Sequence, residues 1–504
     1  MARYKHIDMS PRLLPVVLEA QLVAGSFAHS LHHLIELLDL APFDAHFRND
    51  VNGAPAYSPS ILLKAVLLAY SQGVVSSRAI ERLCRENVLF IAITGDAQPH
   101  FTTIADFVSR SRDAIAAVFA QVLTILNKEG LIGREMFAID GVKLPSNASK
   151  HRSGTRADFL AQAEKLERAV QAMIQAHQSS DAHANDDAAT SRDAARLQRL
   201  TSEAQKIRSW LAAHPEDRKG ARAKVRKSNR TDNESAKMAT DKGVVQGYCG
   251  VAVVDAAHQV VIEASAHGTG WEQELLLPVL EATAAQRAPH TLITADAGYY
   301  SETNLEAVAK LQINALIPDI HMRQRDERLA DQAKHTSKPD ALYVRSRKPK
   351  PKAVFSPDQF IIAADHSHAI CPAGKRLYRN GKDCIIRGYH AIRFRAPKSA
   401  CTNCPLRSQC LRKPGVTQTR QVALIALEGS LPYTRAMQAR IDSPEGRHQY
   451  GRRLGTVEPV FANLRHNKRL TRFTLRGQRK LDGQWKLFAL VHNIEKWGNC
   501  RKPG

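Results

Sequence analysis

Phe137-Ala138-Ile139-Asp140-Gly141-Val142-Lys143 decides how this chain reads. Three apolar residues run into one aspartate and a glycine follows, the pattern of a short buried strand ending in a carboxylate. Glycine there lets the backbone turn or lets a ligand come close. The same grammar returns in Leu292-Ile293-Thr294-Ala295-Asp296-Ala297-Gly298-Tyr299-Tyr300. A third carboxylate, Glu458, stands in Thr456-Val457-Glu458-Pro459-Val460-Phe461, where Pro459 reads as the first-turn proline of a helix. The expectation is that Asp140, Asp296 and Glu458 meet in space and hold divalent metal ions, and that the rest of the chain brings nucleic acid to them.

The bulk numbers agree with a polyanionic partner. The chain has 504 residues, enough for two to four cores. Lys and Arg total 72 against 49 Asp and Glu, a net charge of +23. Such an excess favours nucleic acid. No segment carries the roughly 20 apolar residues of a spanning helix, and the N-terminus lacks a secretory apolar core. A cytoplasmic protein, associated with the nucleoid when bound to DNA, is expected. Eight cysteines in so long a chain do not make a disulfide scaffold.

Residues 1–130 read as helical. Ser58-Pro59 starts a helix that Gly73 ends, Ser76-Ser77-Arg78 starts another, and a third begins near Thr102-Thr103. Short helices with tight connections suit a DNA-binding module, and equally an all-helical packing domain. Residues 131–155 hold the first strand of the core. In 156–230, Phe159, Ala163, Leu166, Val170 and Met173 mirror Leu197, Leu200, Ala204, Ile207 and Leu211 as the stripes of an antiparallel helical hairpin. A basic run follows, in which Arg222, Lys224, Arg226 and Lys227 read as phosphate contacts or as a solvated loop. Residues 231–319 continue the core with a strand pair, Tyr248–Asp255 and Gln259–Ala264, then helix, strand, helix, strand. That order is an α/β (α+β) core with mixed pairing.

Residues 320–430 interrupt it with a basic, Cys-bearing insertion, including Arg345-Ser346-Arg347-Lys348-Pro349-Lys350-Pro351-Lys352. Cys401-x-x-Cys404-x5-Cys410 has the close pair of a zinc knuckle. Cys371 or Cys384 could be the fourth ligand of a structural Zn²⁺, with His366, His368 or His390 as alternatives, against a set of free thiols. Residues 431–504 turn helical, ending in an apolar face of Leu487, Leu490, Val491 and Ile494.

Two divalent ions roughly 3.5–4 Å apart can cut and join phosphodiesters, and Mg²⁺ asks for hard oxygen ligands. On that logic Asp140 sits between two metals and Asp296 and Glu458 complete one each. Tyr450, Arg453 and Arg465 flank Glu458 as candidate phosphate-binding groups, with Glu458 and Arg465 two turns apart on one helix face. No Gly-rich nucleotide loop is present, so no nucleotide cofactor is expected.

The blocks Phe137–Gly141, Ala295–Tyr299 and Val457–Phe461 resemble the three catalytic blocks of bacterial insertion-sequence transposases of the DDE class, of the insertion sequence 1182-like group. Tyr57-Ser58-Pro59, Ser76–Glu81 and His100–Phe107 resemble that family's N-terminal domain. The resemblance implies a ribonuclease H-like mixed-sheet catalytic core, use of Mg²⁺ or Mn²⁺, and cutting and joining of double-stranded DNA at inverted-repeat ends and target by a homo-oligomer. Tyr450, Arg453 and Glu458 fill the family's signature around the glutamate, with the first two one residue further out, and Arg465 stands where lysine is usual. A DNA-binding regulator that has lost catalysis, and a metal-dependent nuclease on the same core, are the alternatives.

Overall fold

A computed structural model describes residues 17–46, 55–180, 187–220, 225–240, 243–326, 329, 354–380, 384–386, 389–425 and 432–501. Arg222, Lys224 and the basic run 345–352 lie outside them.

The chain begins with helices α1 (Phe27–Glu36), α2 (Pro59–Ser71), α3 (Ser77–Glu86), α4 (Val88–Thr94), α5 (Phe101–Arg110) and α6 (Arg112–Lys128). Strand β1 (Met136–Pro145) follows, then β2 (Ser153–Gly154), α7 (Arg156–Ser180), α8 (Asp187–Ala213), β3 (Ser228–Asn229), β4 (Ala236–Thr240), β5 (Gly243–Asp255), β6 (Val261–His267), α9 (Leu276–Ala282), β7 (Leu292–Thr294), α10 (Glu302–Lys310) and β8 (Ala315–Leu316). The mixed α and β content is that of an α+β protein. In the main sheet β5 is antiparallel to β1, β4 and β6, whereas β1, β7 and β8 run parallel in that order.

The segment read as a basic, Cys-bearing insertion contains a sheet of its own. Strands β9 (Ile361–Ile362), β10 (His368–Ile370), β11 (Arg376–Arg379), β12 (Cys384–Ile386) and β13 (Tyr389–Arg395) are followed by α11 (Lys398–Thr402), α12 (Arg407–Cys410) and β14 (Gln421–Ile425). Most of its strands have only two to five residues, too short for an apolar alternation to advertise them. They close over a separate small core of Phe360, Ala369, Leu377, Phe394, Ala396 and Val422. The hairpin of α7 and α8 likewise has its own core, confined to its base at Phe159, Ala163, Ile207 and Leu211.

The C-terminal helices are α13 (Pro432–Asp442), α14 (Pro444–Ala462) and α15 (Gln478–Cys500). Here two expectations are corrected. Pro459 does not begin a helix; it lies inside α14, which starts at Pro444 with Ser443 as its cap. A proline inside a helix cannot donate to the carbonyl four residues back, and that carbonyl, of Gly455, accepts instead from Gln259 Nε2 at 3.0 Å. Glu458 and Arg465 also do not share a face by α-helical spacing, because residues Asn463–Asn467 form a π-helical turn.

Helix α15 is buried nearly all round, not along one apolar face. It lies between α1, α2, α5 and α6 on one side and β5 and β6 on the other, so its polar residues must find partners inside the protein. Trp485 Nε1 donates to Val251 O at 2.7 Å. Asn493 accepts from Val261 N and donates to Val261 O, both at 2.8 Å, as a neighbouring strand would. Asp482 accepts from Ala266 N at 3.1 Å and from Arg112 Nε at 2.8 Å. No helix among the described residues is long and apolar enough to cross a membrane.

His492 on the same helix is buried with its Nε2 2.8 Å from Gln259 O and its Nδ1 3.1 Å from Asn463 Nδ2. Those partners fit a neutral ring that donates from Nε2 and accepts at Nδ1. Burial lowers its pKa to about 4, against 6.5 in water. The unfolded chain therefore takes up the proton first as pH falls. The contribution of His492 is complete above about pH 6.5 and is lost towards pH 4, ~3 kcal/mol in all. Urea unfolding at pH 7 and pH 4.5 should show a smaller acid loss in His492→Gln than in the parent; equal losses would assign the acid sensitivity to other groups.

Candidate active site

The register of β1 and β7 builds the site. Ala138 pairs with Thr294 across two parallel strands. Asp140 and Asp296 each lie two residues further on, so both carboxylates reach the same level just beyond the end of the β1–β7 pairing. In open α/β sheets that edge, outside the carboxyl ends of parallel strands, is where ligands bind. Strand β1 does not stop at Asp140, as the sequence suggested, but runs on to Pro145 against β5. Gly141 therefore makes no turn. It makes room: a Cβ there would lie 3.0 Å from Cys249 Sγ and 3.4 Å from the Tyr299 hydroxyl.

Each aspartate is oriented by its own backbone. Gly141 N donates to Asp140 Oδ1 at 2.9 Å, and Gly298 N donates to Asp296 Oδ1 at 2.8 Å. Burial raises the pKa of Asp140; Arg453 opposes the rise and Asp296 adds to it. Arg453 is almost wholly buried and donates to Ile139 O at 3.0 Å, with the same nitrogen 3.1 Å from Asp140 Oδ1. Arg453 thus serves as the counter-charge of Asp140 and is not open to a phosphate. Tyr450, one turn earlier on α14, is pushed up to about 12 by burial, with Arg453, Asp296, Arg323 and Asp140 as its charged neighbours.

Sequence reasoning missed one carboxylate. Glu272, in the short turn after β6, pairs with Lys143 at 3.1 Å. Burial raises its pKa, and so do Asp296 and Asp140. No motif marked it, since it is one of two acidic residues within Trp271–Leu275 and the fold alone turns it inward. Cys249, between these groups, is pushed up to about 12 by burial.

Glu458 is exposed on α14, on the flank beside buried Val457. The charges that act most on Asp140 and on Glu272 do not include it. Among the described residues no three carboxylates, thiols or imidazoles form a ready metal cage; the cations Arg453 and Lys143 sit on the carboxylates instead.

Beside the carboxylates opens a basic cleft of about 490 Å³, lined among others by Lys143, Arg218, Lys227, Lys237 and Trp271. Arg226 also borders it but is drawn onto Glu274 at 2.5 Å. Arg218 is held by the carbonyls of Asn233, Glu234, Ser235 and Gly268. Lys227 and Arg465 are exposed. In the second sheet Cys371, Cys401, Cys404 and Cys410 line one cavity together with Arg407 and Arg420. Cys384, on β12, is not part of its wall, nor are His366 and His368; the His390 side chain lies outside the described residues. Burial raises the Cys410 thiol; Arg420 opposes, and Cys401, Cys371 and Cys404 add to the rise.

Two family models match the chain. Residues 17–110 match "Transposase domain (DUF772)" and residues 370–497 match "Transposase DDE domain". The second span includes Glu458 and the cysteine cavity, and begins after Asp140 and Asp296. No curated protein and no solved structure matches. The two family matches, one near each end, indicate an insertion-sequence transposase of the DDE class, a protein of mobile DNA.

Because the Arg453–Asp140 pair is shielded from water, removing one partner strands the other. Arg453→Met should lower stability by about 3 kcal/mol at pH 7, and Asp140→Asn in the same chain should restore part of it. A urea double-mutant cycle reads the coupling; strictly additive losses would show that the two groups do not support one another.

Proposed function

We propose that the chain binds the terminal inverted repeats of an insertion sequence and catalyses metal-dependent DNA cleavage and strand transfer, as a member of the insertion sequence 1182-like group. The observation that carries this reading is the equal level of Asp140 and Asp296 just beyond the parallel pairing of β1 with β7, in a chain whose two ends match transposase families. The central sheet, an antiparallel β6–β5–β1 set joined to parallel β7 and β8, supports a ribonuclease H-like core. On this reading residues 1–130 bind DNA, residues 131–155, 231–319 and 431–504 form the core, and 156–230 and 320–430 are insertions. The protein works in the bacterial cytoplasm on the nucleoid, as a homo-oligomer, since two element ends must be held together.

The hard oxygens of Asp140 and Asp296 fit Mg²⁺ or Mn²⁺, and Glu458 would complete the set from α14. Bound there, the ions would supply charge for the attacking and leaving oxygens of an in-line displacement. The protein's own groups do the rest. Arg453 favours the ionised form of Asp140 and holds it in place. Lys227 and Lys237 give the cleft the charge to hold a DNA backbone against the carboxylates, and exposed Arg465 extends that surface beyond Glu458.

The cysteine cavity, on the same reading, is a structural zinc site of Cys371, Cys401, Cys404 and Cys410. Its helical pair and its strand-end thiol come from separate elements, which one ion would tie together over a small core, six buried apolar residues among those described.

Purified protein should cut DNA carrying the ends of its own element in Mg²⁺ or Mn²⁺ and join the 3′ ends to target DNA, whereas Asp296→Ala should bind the same DNA and do neither. Binding without cleavage would make the protein a regulator, and cutting without joining a nuclease. Metal analysis of the native protein should find one zinc per chain, lost in Cys401→Ser; a zinc-free parent of unchanged melting temperature would leave four free thiols.

A further inference from the structure

The acidic turn after β6 belongs to the same site. Glu272 comes from a part of the chain that neither aspartate shares, yet it converges on them. A Cβ built on Gly298 would lie 1.9 Å from Glu272 Oε2 and 3.0 Å from Asp296 Oδ1. The two carboxylates therefore flank one glycine, and only glycine leaves space for both. Lys143, three residues beyond Asp140 on β1, neutralises Glu272. A second, independent feature points into the same space. The Tyr299 hydroxyl is completely buried and has no hydrogen-bond partner among the described residues. It faces Gly141 beside Asp140. Burying a hydroxyl without a partner is costly, and a group held so beside three carboxylates marks a place where something else binds.

From this placement we propose that Glu272 is a further carboxylate ligand of the divalent cation held by Asp140 and Asp296, with the Tyr299 hydroxyl facing the bound ion or its water. The inference rests on the metal-dependent reading of the site. Its chemistry is that of a hard cation taking oxygen donors and keeping several waters. Lys143 is the stand-in charge in the metal-free protein: it compensates Glu272 until the ion arrives. Glu458, exposed on α14, is then not needed to bind the first ion.

The test is Mn²⁺ binding to the DNA-free full chain, followed by the electron paramagnetic resonance of free Mn²⁺, with melting in EDTA as the control for folding. Asp296→Asn and Glu272→Gln should each weaken Mn²⁺ binding on the order of tenfold or more, with Lys143→Met at least as tight as the parent. Parental affinity in Glu272→Gln, beside a loss in Asp296→Asn, would overturn the role of Glu272 and leave the metal site standing. A parent that binds no Mn²⁺ would overturn both, and all variants would then read alike. If Glu272→Gln does not fold, Glu272→Asp keeps the charge opposite Lys143 and withdraws the ligand by one methylene; unchanged Mn²⁺ affinity there would equally refute the assignment.

Discussion

A carboxylate within a mostly buried strand has to be compensated, and in this protein Arg453 does it. Asp140 follows three fully buried residues and sits in the centre of the main sheet, with β5 on one side and β7 on the other. Left alone it would take up a proton or cost several kcal/mol of folding free energy. The guanidinium of Arg453 reaches it from α14 and also satisfies the carbonyl of Ile139. That contact ties the C-terminal part of the chain to its first strand, as does Phe473 N donating to Pro145 O at 2.8 Å.

A glutamine adds a second tie to α14. Gln259, in the β5–β6 turn with φ +58°, caps the Gly455 carbonyl that Pro459 leaves free. Its own carbonyl faces His492, and its side-chain oxygen accepts from Lys496 at 2.8 Å. One residue thus joins the β5–β6 turn to α14 and α15. Helix α15 then carries the N-terminal helices, because its other side is packed on them. The main core is therefore continuous from Leu22 to Trp497. The cysteine-bearing sheet and the helical hairpin, with cores of their own, are the parts that attach to this frame without sharing it.

The charge in the site has two scales. Close to the carboxylates, Arg453 and Lys143 are paired at short range, with Asp140 and Glu272. Further out, the excess of +23 includes exposed Lys227 and Arg465. This division explains why a basic residue beside a catalytic motif does not have to touch a phosphate. Arg226 makes the same point, since it lies in the densest basic run and turns onto Glu274.

The sequence by itself determined the periodic and the local. Apolar runs ending in Asp140 and Asp296, the spacing of the N-terminal helices, the paired stripes of the hairpin and the close cysteines were all legible, because each depends on residues near one another in the chain. The tertiary structure decided whatever depends on pairing across distance. The parallel register of β1 with β7 levels the two aspartates. A partner from another element lets α14 run through Pro459, and burial from both sides hides the polar residues of α15. Glu272 is the plainest case. Nothing around it in the chain distinguishes it from its acidic neighbour Glu274, and only the fold brings it beside Gly298 and Asp296.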